Sequence, residues 1–102
     1  MARPKNRTSE WRIHPRVKVR MARWLGREIY GTAEERGGGW YMIRIATWQP
    51  DSEKRKTLDH EIGHLTEWFS SRKMPERASE AAEEMHAKSR LVIPWYGKSQ
   101  QF

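Results

Sequence analysis

The chain has 102 residues, a formal net charge of +7 and no cysteine, which suits a single small domain and excludes disulfide stapling and Cys-ligated metal sites. Charged residues make up 32% and the mean hydropathy is -1.01, so hydrophobic burial alone leaves such a domain marginal, and a bound metal would add stability. No apolar run approaches the roughly 18 residues of a membrane span, and the basic opening MARPKNRTSEW lacks the apolar stretch of a secretory signal; a soluble, cytoplasmic protein without a membrane partner is the expectation.

The first ten residues read as a flexible basic tail. EWRIH, at 10–14, suits a short strand. Pro15 can occupy a first helical position, and Val17, Met21, Trp24, Leu25 and Glu28 then recur at helical spacing. The spacing predicts a helix over 15–28, although VKVR inside it also reads as strand. Two β-prone runs, 28–35 and 40–48, flank RGGG and predict a hairpin. In the second run Tyr41, Ile43, Ile45 and Thr47 share one face, and Trp40, Met42, Arg44, Ala46 and Trp48 the other.

QPDSEKRK follows as a charged loop. A helix opening at Lys56 or Thr57 and ending near Ser71 carries the apolar stripe Leu58, Ile62, Leu65 and Phe69. SRKMP interrupts it, and Pro75 opens a second helix whose stripe is Ala78, Ala82, Met85 and Ser89. The close, LVIPWYGKSQQF, is apolar but interrupted by Pro94 and Gly97, which favours an extended segment. One domain over 11–90 with a tail over 91–102 is the resulting division. The fold class is α+β.

The chemistry concentrates in TLDHEIGHL, at 57–65. On a helix His60 and His64 lie one turn apart on one face, where both imidazoles can reach a single ion at about 2.0–2.1 Å. Glu61 is rotated by about 100° from His60, so it flanks such an ion and can move protons. That is the content of the H-E-x-x-H pattern, and its metal is Zn2+. The plain alternative is two surface histidines with local hydrogen bonds.

A catalytic zinc needs a third protein ligand. An antiparallel second helix regains the level of His64 near residue 82, which leaves Glu80, Glu83, Glu84 and His86 as candidates. The acidic residues equally suit a solvated face. His14, next to a proline, is expected on the surface.

The series YGTAEERGGGWYMIRIATW, TLDHEIGHL and ERASEAAEEMHAKSR resembles the minigluzincins, small soluble zincin metallopeptidases of thermophilic prokaryotes. It is also similar to SprT-like zincins and to the catalytic domains of integral-membrane gluzincins. The single Asn and three Gln, against abundant Arg and Glu, agree with a thermophile. The resemblance implies a small sheet on an active-site helix with a second ligand-bearing helix. It implies Zn2+ on His60 and His64, with Glu61 as general base. The family's third histidine maps onto His86, with Glu80 the alternative from the commoner glutamate pattern. It further implies a latent zymogen whose C-terminal segment, with Trp95 and Tyr96, blocks the cleft.

The leading expectation is therefore a zinc-dependent endopeptidase, a monomer or weak dimer acting on a peptide or protein. The peptide would add as a strand to the sheet edge. WYMIRIATW is the expected edge, with Trp40, Met42 and Arg44 contacting substrate. Arg90, Tyr96 and Tyr41 are open as partners of the oxyanion. The alternative is a nucleic-acid-associated module with a structural metal, motivated by the basic charge.

Overall fold

Between Val17 and Ala22 buried and solvent-facing side chains alternate: Val17 and Val19 are buried, Lys18 half-buried and Arg20 exposed. That period of two belongs to a strand, and the segment expected as a helix over 15–28 is strand and loop instead. Its helical spacing loses to pairing along both sides, a tertiary term that intrinsic preference cannot report.

The structure, a computed structural model, describes residues 9–72 and 78–97. Its elements are β1 (Glu10–His14), β2 (Val17–Ala22), β3 (Gly31–Arg36), β4 (Trp40–Ala46), α1 (Asp51–Ser71), α2 (Ala78–Val92) and α3 (Pro94–Gly97). The strands form one sheet in the order β1-β2-β4-β3. β1 and β2 pair antiparallel, as do β3 and β4, and β2 runs parallel to β4. The fold is α+β, with the hairpin in the expected place.

This order corrects the expected edge. β4 has a partner on each side, so its backbone is not free to receive a peptide. β3 is the edge beside it, and β1 is the opposite edge. Met21 N–H donates to the carbonyl of Ser9, so pairing extends into the segment expected as a flexible tail; residues 1–8 lie outside the described residues.

The core lies on one face of the sheet. Ile13, Val17, Val19, Tyr41, Ile43 and Ile45 meet Leu58, Ile62, Leu65 and Phe69 of α1 and Ala81 and Met85 of α2. The α1 stripe is the one its spacing predicts. On α2 the buried set is Ala81, Met85 and Ser89, with Ala78 and Ala82 partly covered. Pro75, the expected helix start, lies outside the described residues.

α1 begins at Asp51, earlier than Lys56 or Thr57. Pro50 caps it in an extended conformation, and its carbonyl accepts from the N–H groups of Glu53 and Lys54. Asp51 and Glu53 in the first turn suit the positive end of the helix dipole. Buried Gln49 fixes the junction. Its amide donates to the carbonyls of Tyr30 and Ala46, and its oxygen accepts from Thr57 Oγ1 at 3.0 Å.

His14 is buried, at 3% exposure, and not on the surface as expected. Its ring packs 5.6 Å from that of Phe69, and its Nδ1 accepts from the Arg16 N–H. The tight turn between β1 and β2 folds the ring inward.

The largest correction concerns the C-terminal segment. Residues 91–97 are not an extended strap. α2 continues to Val92, and α3 turns Ile93, Trp95 and Tyr96 into the core. Trp95 meets the edge of Trp11 at 6.1 Å. Pro94 fits as the first residue of α3, where its missing N–H costs nothing. Residues 98–102 lie outside the described residues. Truncation after Arg90 removes this packing, and loss of buried Ile and Trp side chains costs about 2–5 kcal/mol each, comparable with the whole stability of a small domain. The truncated chain is expected to lose its cooperative thermal transition, and a melting temperature within a few degrees of the full chain would contradict this packing.

A second prediction concerns Gly31, where β3 passes α1. A Cβ there would stand 2.5 Å from Thr57 Cγ2 and 3.1 Å from the Arg44 carbonyl. Thr57 is β-branched and already bonded to Gln49, so it has little freedom to retreat. Gly31→Ala is expected to cost about 1–3 kcal/mol in urea unfolding, and a neutral result would show that β3 and α1 are loosely apposed.

Candidate metal centre

Each residue turns α1 by about 100°, which sorts its polar side chains by flank. With Leu58, Ile62 and Leu65 on the core side, His60 and His64 fall on the outward side and are exposed. Their Nε2 atoms are 3.1 Å apart. Two nitrogens on one tetrahedral zinc at about 2.0–2.1 Å stand about 3.3 Å apart, so the pair is spaced to share an ion.

Glu61 sits between core and surface and is 6% exposed. Burial raises its carboxyl above the usual carboxylate range, against the opposing pull of His64 and His60. It borders an open pocket of about 470 Å³ together with His60, Thr57, Gly31, Tyr30 and Ile29. A carboxylate whose proton affinity is raised by burial, opening on a cavity, suits proton transfer.

Asp59 points to the opposite flank, where α2 and α3 meet α1. Tyr96 Oη donates to Asp59 Oδ1 at 2.6 Å, and His86 Nδ1 is 2.9 Å from Tyr96 Oη and 3.2 Å from Asp59 Oδ1. Burial and Asp59 push the Tyr96 phenol up, so it stays protonated. Its single proton is spent on Asp59, so at the Tyr96 oxygen His86 must be the donor. His86 Nδ1 therefore points its N–H at the pair formed by Tyr96 and Asp59. Sequence reading missed both Asp59 and this arrangement, because the contact joins residues 37 apart in the chain.

The structure thus assembles part of the expected site. It brings His60, Glu61 and His64 together. It does not bring His86 or Glu80 to them: among the described residues no three His, Asp or Glu side chains are grouped to hold a metal ion. Glu80, Glu83 and Glu84 are exposed on α2. The donor set fits zinc as a two-imidazole half-site.

Trp40, Met42 and Arg44, expected at the substrate, lie on the other face of the sheet. Tyr41, Ile43 and Ile45 alternate with them and face α1, so the pleat directs these three away from the histidines. Trp95 and Tyr96, expected across the cleft, are core side chains. Of the candidate oxyanion partners, Tyr41 is buried against Phe69 and Tyr96 is engaged with Asp59.

No family model, curated protein or solved structure significantly matches the chain. Among the described residues no helix is long and apolar enough to cross a membrane.

Glu61 yields a pH prediction. Its folded-state proton affinity is raised, so the folded chain favours the protonated acid. That contribution is full below the unfolded carboxylate range, about pH 4.3, and is lost as pH rises through the folded value. Glu61→Gln is therefore expected to raise the melting temperature of the metal-free protein at pH 7 and to leave it nearly unchanged near pH 4. A lower melting temperature at pH 7 would mean that the ionised side chain has a stabilising partner.

Proposed function

We propose that the chain is a zinc-dependent metallopeptidase of the zincin type. The observation that carries this reading is the Nε2 pair of His60 and His64, 3.1 Å apart, with buried Glu61 opening on the neighbouring pocket. His60 and His64 would hold the ion. His86 is the proposed third ligand, with Asp59 and Tyr96 orienting its ring as outer partners of metal-bound histidines commonly do. Glu80 is the alternative. Zinc, when bound, would polarise a scissile carbonyl and make its water more acidic.

The remaining steps belong to the chain. Glu61 accepts a proton from the attacking water and returns one to the leaving amine. Its raised proton affinity favours holding the proton between these events. β3, the free edge nearest the pocket, offers unpaired backbone groups to an extended peptide, and its first residue, Gly31, lines the same pocket as Glu61. Without a side chain there, a peptide can approach closely.

Zinc content and cleavage of an unfolded protein substrate test this directly. The full chain is expected to bind one zinc, with affinity falling on acidification because protons compete with the metal for the ligand nitrogens. Glu61→Gln should retain zinc and lose cleavage by about 100-fold or more, whereas His60→Ala and His64→Ala should lose the metal. Failure to bind zinc after repletion, or undiminished turnover in Glu61→Gln, refutes the assignment. Retention of zinc by His86→Ala with loss in Glu80→Ala would transfer the third position to Glu80.

A further inference from the structure

The main hydrophobic cluster lies on one face of the sheet. The other face carries Arg12 of β1, Lys18 and Arg20 of β2, Trp40, Met42 and Arg44 of β4, and Glu34 and Arg36 of β3, placed side by side by the register. Glu10 pairs with Arg20 at 2.7 Å and with Lys18 at 3.5 Å, while Glu34 engages Arg36 and Arg44. Arg12 and Arg16, beside a Lys18 that is shared with Glu10, gather positive charge where β1 turns into β2.

There an open pocket of about 410 Å³ is lined by Arg12, Pro15, Arg16, Lys18 and Trp40, without a carboxylate. Lys18 Nζ lies 5.3 Å from the Trp40 ring centroid, and Arg36 Cζ lies 5.9 Å from it. Arg16 reaches under the turn between β3 and β4, within 3.7 Å of where a Cβ on Gly39 would stand. Arg12, Arg16 and Lys18 share this pocket with a half-buried indole, which makes a site for an anion joined to a flat ring.

We propose that this pocket binds single-stranded nucleic acid, with a phosphate between Arg12, Arg16 and Lys18 and a base stacked on Trp40. Charge complementarity names the polymer, since every charged residue of the lining is basic and the chain carries +7 overall. The indole selects single strands, because a base inside a duplex cannot present its face to a side chain. The site lies across the sheet from α1 and is independent of any metal at His60 and His64.

Fluorescence anisotropy of a labelled oligothymidylate of about twelve nucleotides, titrated with the full chain at about 50 mM salt, tests the site. The logarithm of affinity should fall against that of salt with a slope of about -2, as expected for roughly three phosphate contacts on a single strand. Arg12→Glu combined with Arg16→Glu is expected to weaken binding by about tenfold or more. The same charge change at the other end of β2, Arg23→Glu with Arg27→Glu, should weaken it by about threefold or less. Trp40→Ala should lose about fivefold or more while Trp40→Phe, which keeps a stacking face, loses less. Circular dichroism confirms that each variant is folded. Absent binding, equal losses in the two double variants, equal affinity for a duplex of the same length, or equal competition by polyphosphate would each overturn the proposal.

Discussion

The packing of α1 against the sheet, over β3 and β4, is the constraint on which everything else depends. Leu58, Ile62, Leu65 and Phe69 occupy one stripe and meet Val17, Val19, Tyr41, Ile43 and Ile45 on the sheet. Burial of such side chains is worth about 1.5–3 kcal/mol each, so rotation of α1 about its axis is strongly opposed. Once that rotation is fixed, no freedom remains for the polar residues between the stripe positions. His60 and His64 face outward, Glu61 takes the flank beside β3, and Asp59 takes the flank beside α2. The candidate chemistry is a by-product of the hydrophobic register.

The same seam explains why the C-terminal segment is structural. A sheet of four short strands covered by one long helix leaves the β1 end of the core open. α2 packs against β1, and Ile93 at the junction with Trp95 and Tyr96 of α3 fills the remaining corner. Trp95 reaches Trp11, while Tyr96 carries a hydroxyl to Asp59 and His86. In a domain this small a single aromatic side chain is a considerable share of the core, so an apolar tail is drawn inward before it can serve as a removable strap.

The sheet divides the surface into two chemical regions. On the helical side the polar residues that matter are His, Asp, Glu and Tyr, which suit metal and proton chemistry. On the other side Arg and Lys surround Trp40. The long aliphatic stems of these cations shield apolar surface while their charges stay in solvent, which explains how Met42 is only 3% exposed on a face with no packed helix. A sheet covered by helices on one face therefore gives the protein two surfaces of opposite character, separated by the sheet and α1.

The sequence by itself determined the α+β class, the hairpin around RGGG, the α1 stripe and the placement of His60, Glu61 and His64. All of these rest on local periodicity, which residue spacing records directly. Only the tertiary structure decided that VKVR is a strand, that β4 is internal, that His14 is buried, and that Trp40, Met42 and Arg44 face away from the histidines. It also decided that the tail belongs to the core and that His86 is bound to Asp59 and Tyr96. Each of these is a pairing between distant parts of the chain. Strand order, the face a pleat presents and the partner of a buried hydroxyl depend on which segments meet, and a one-dimensional pattern carries no record of that choice.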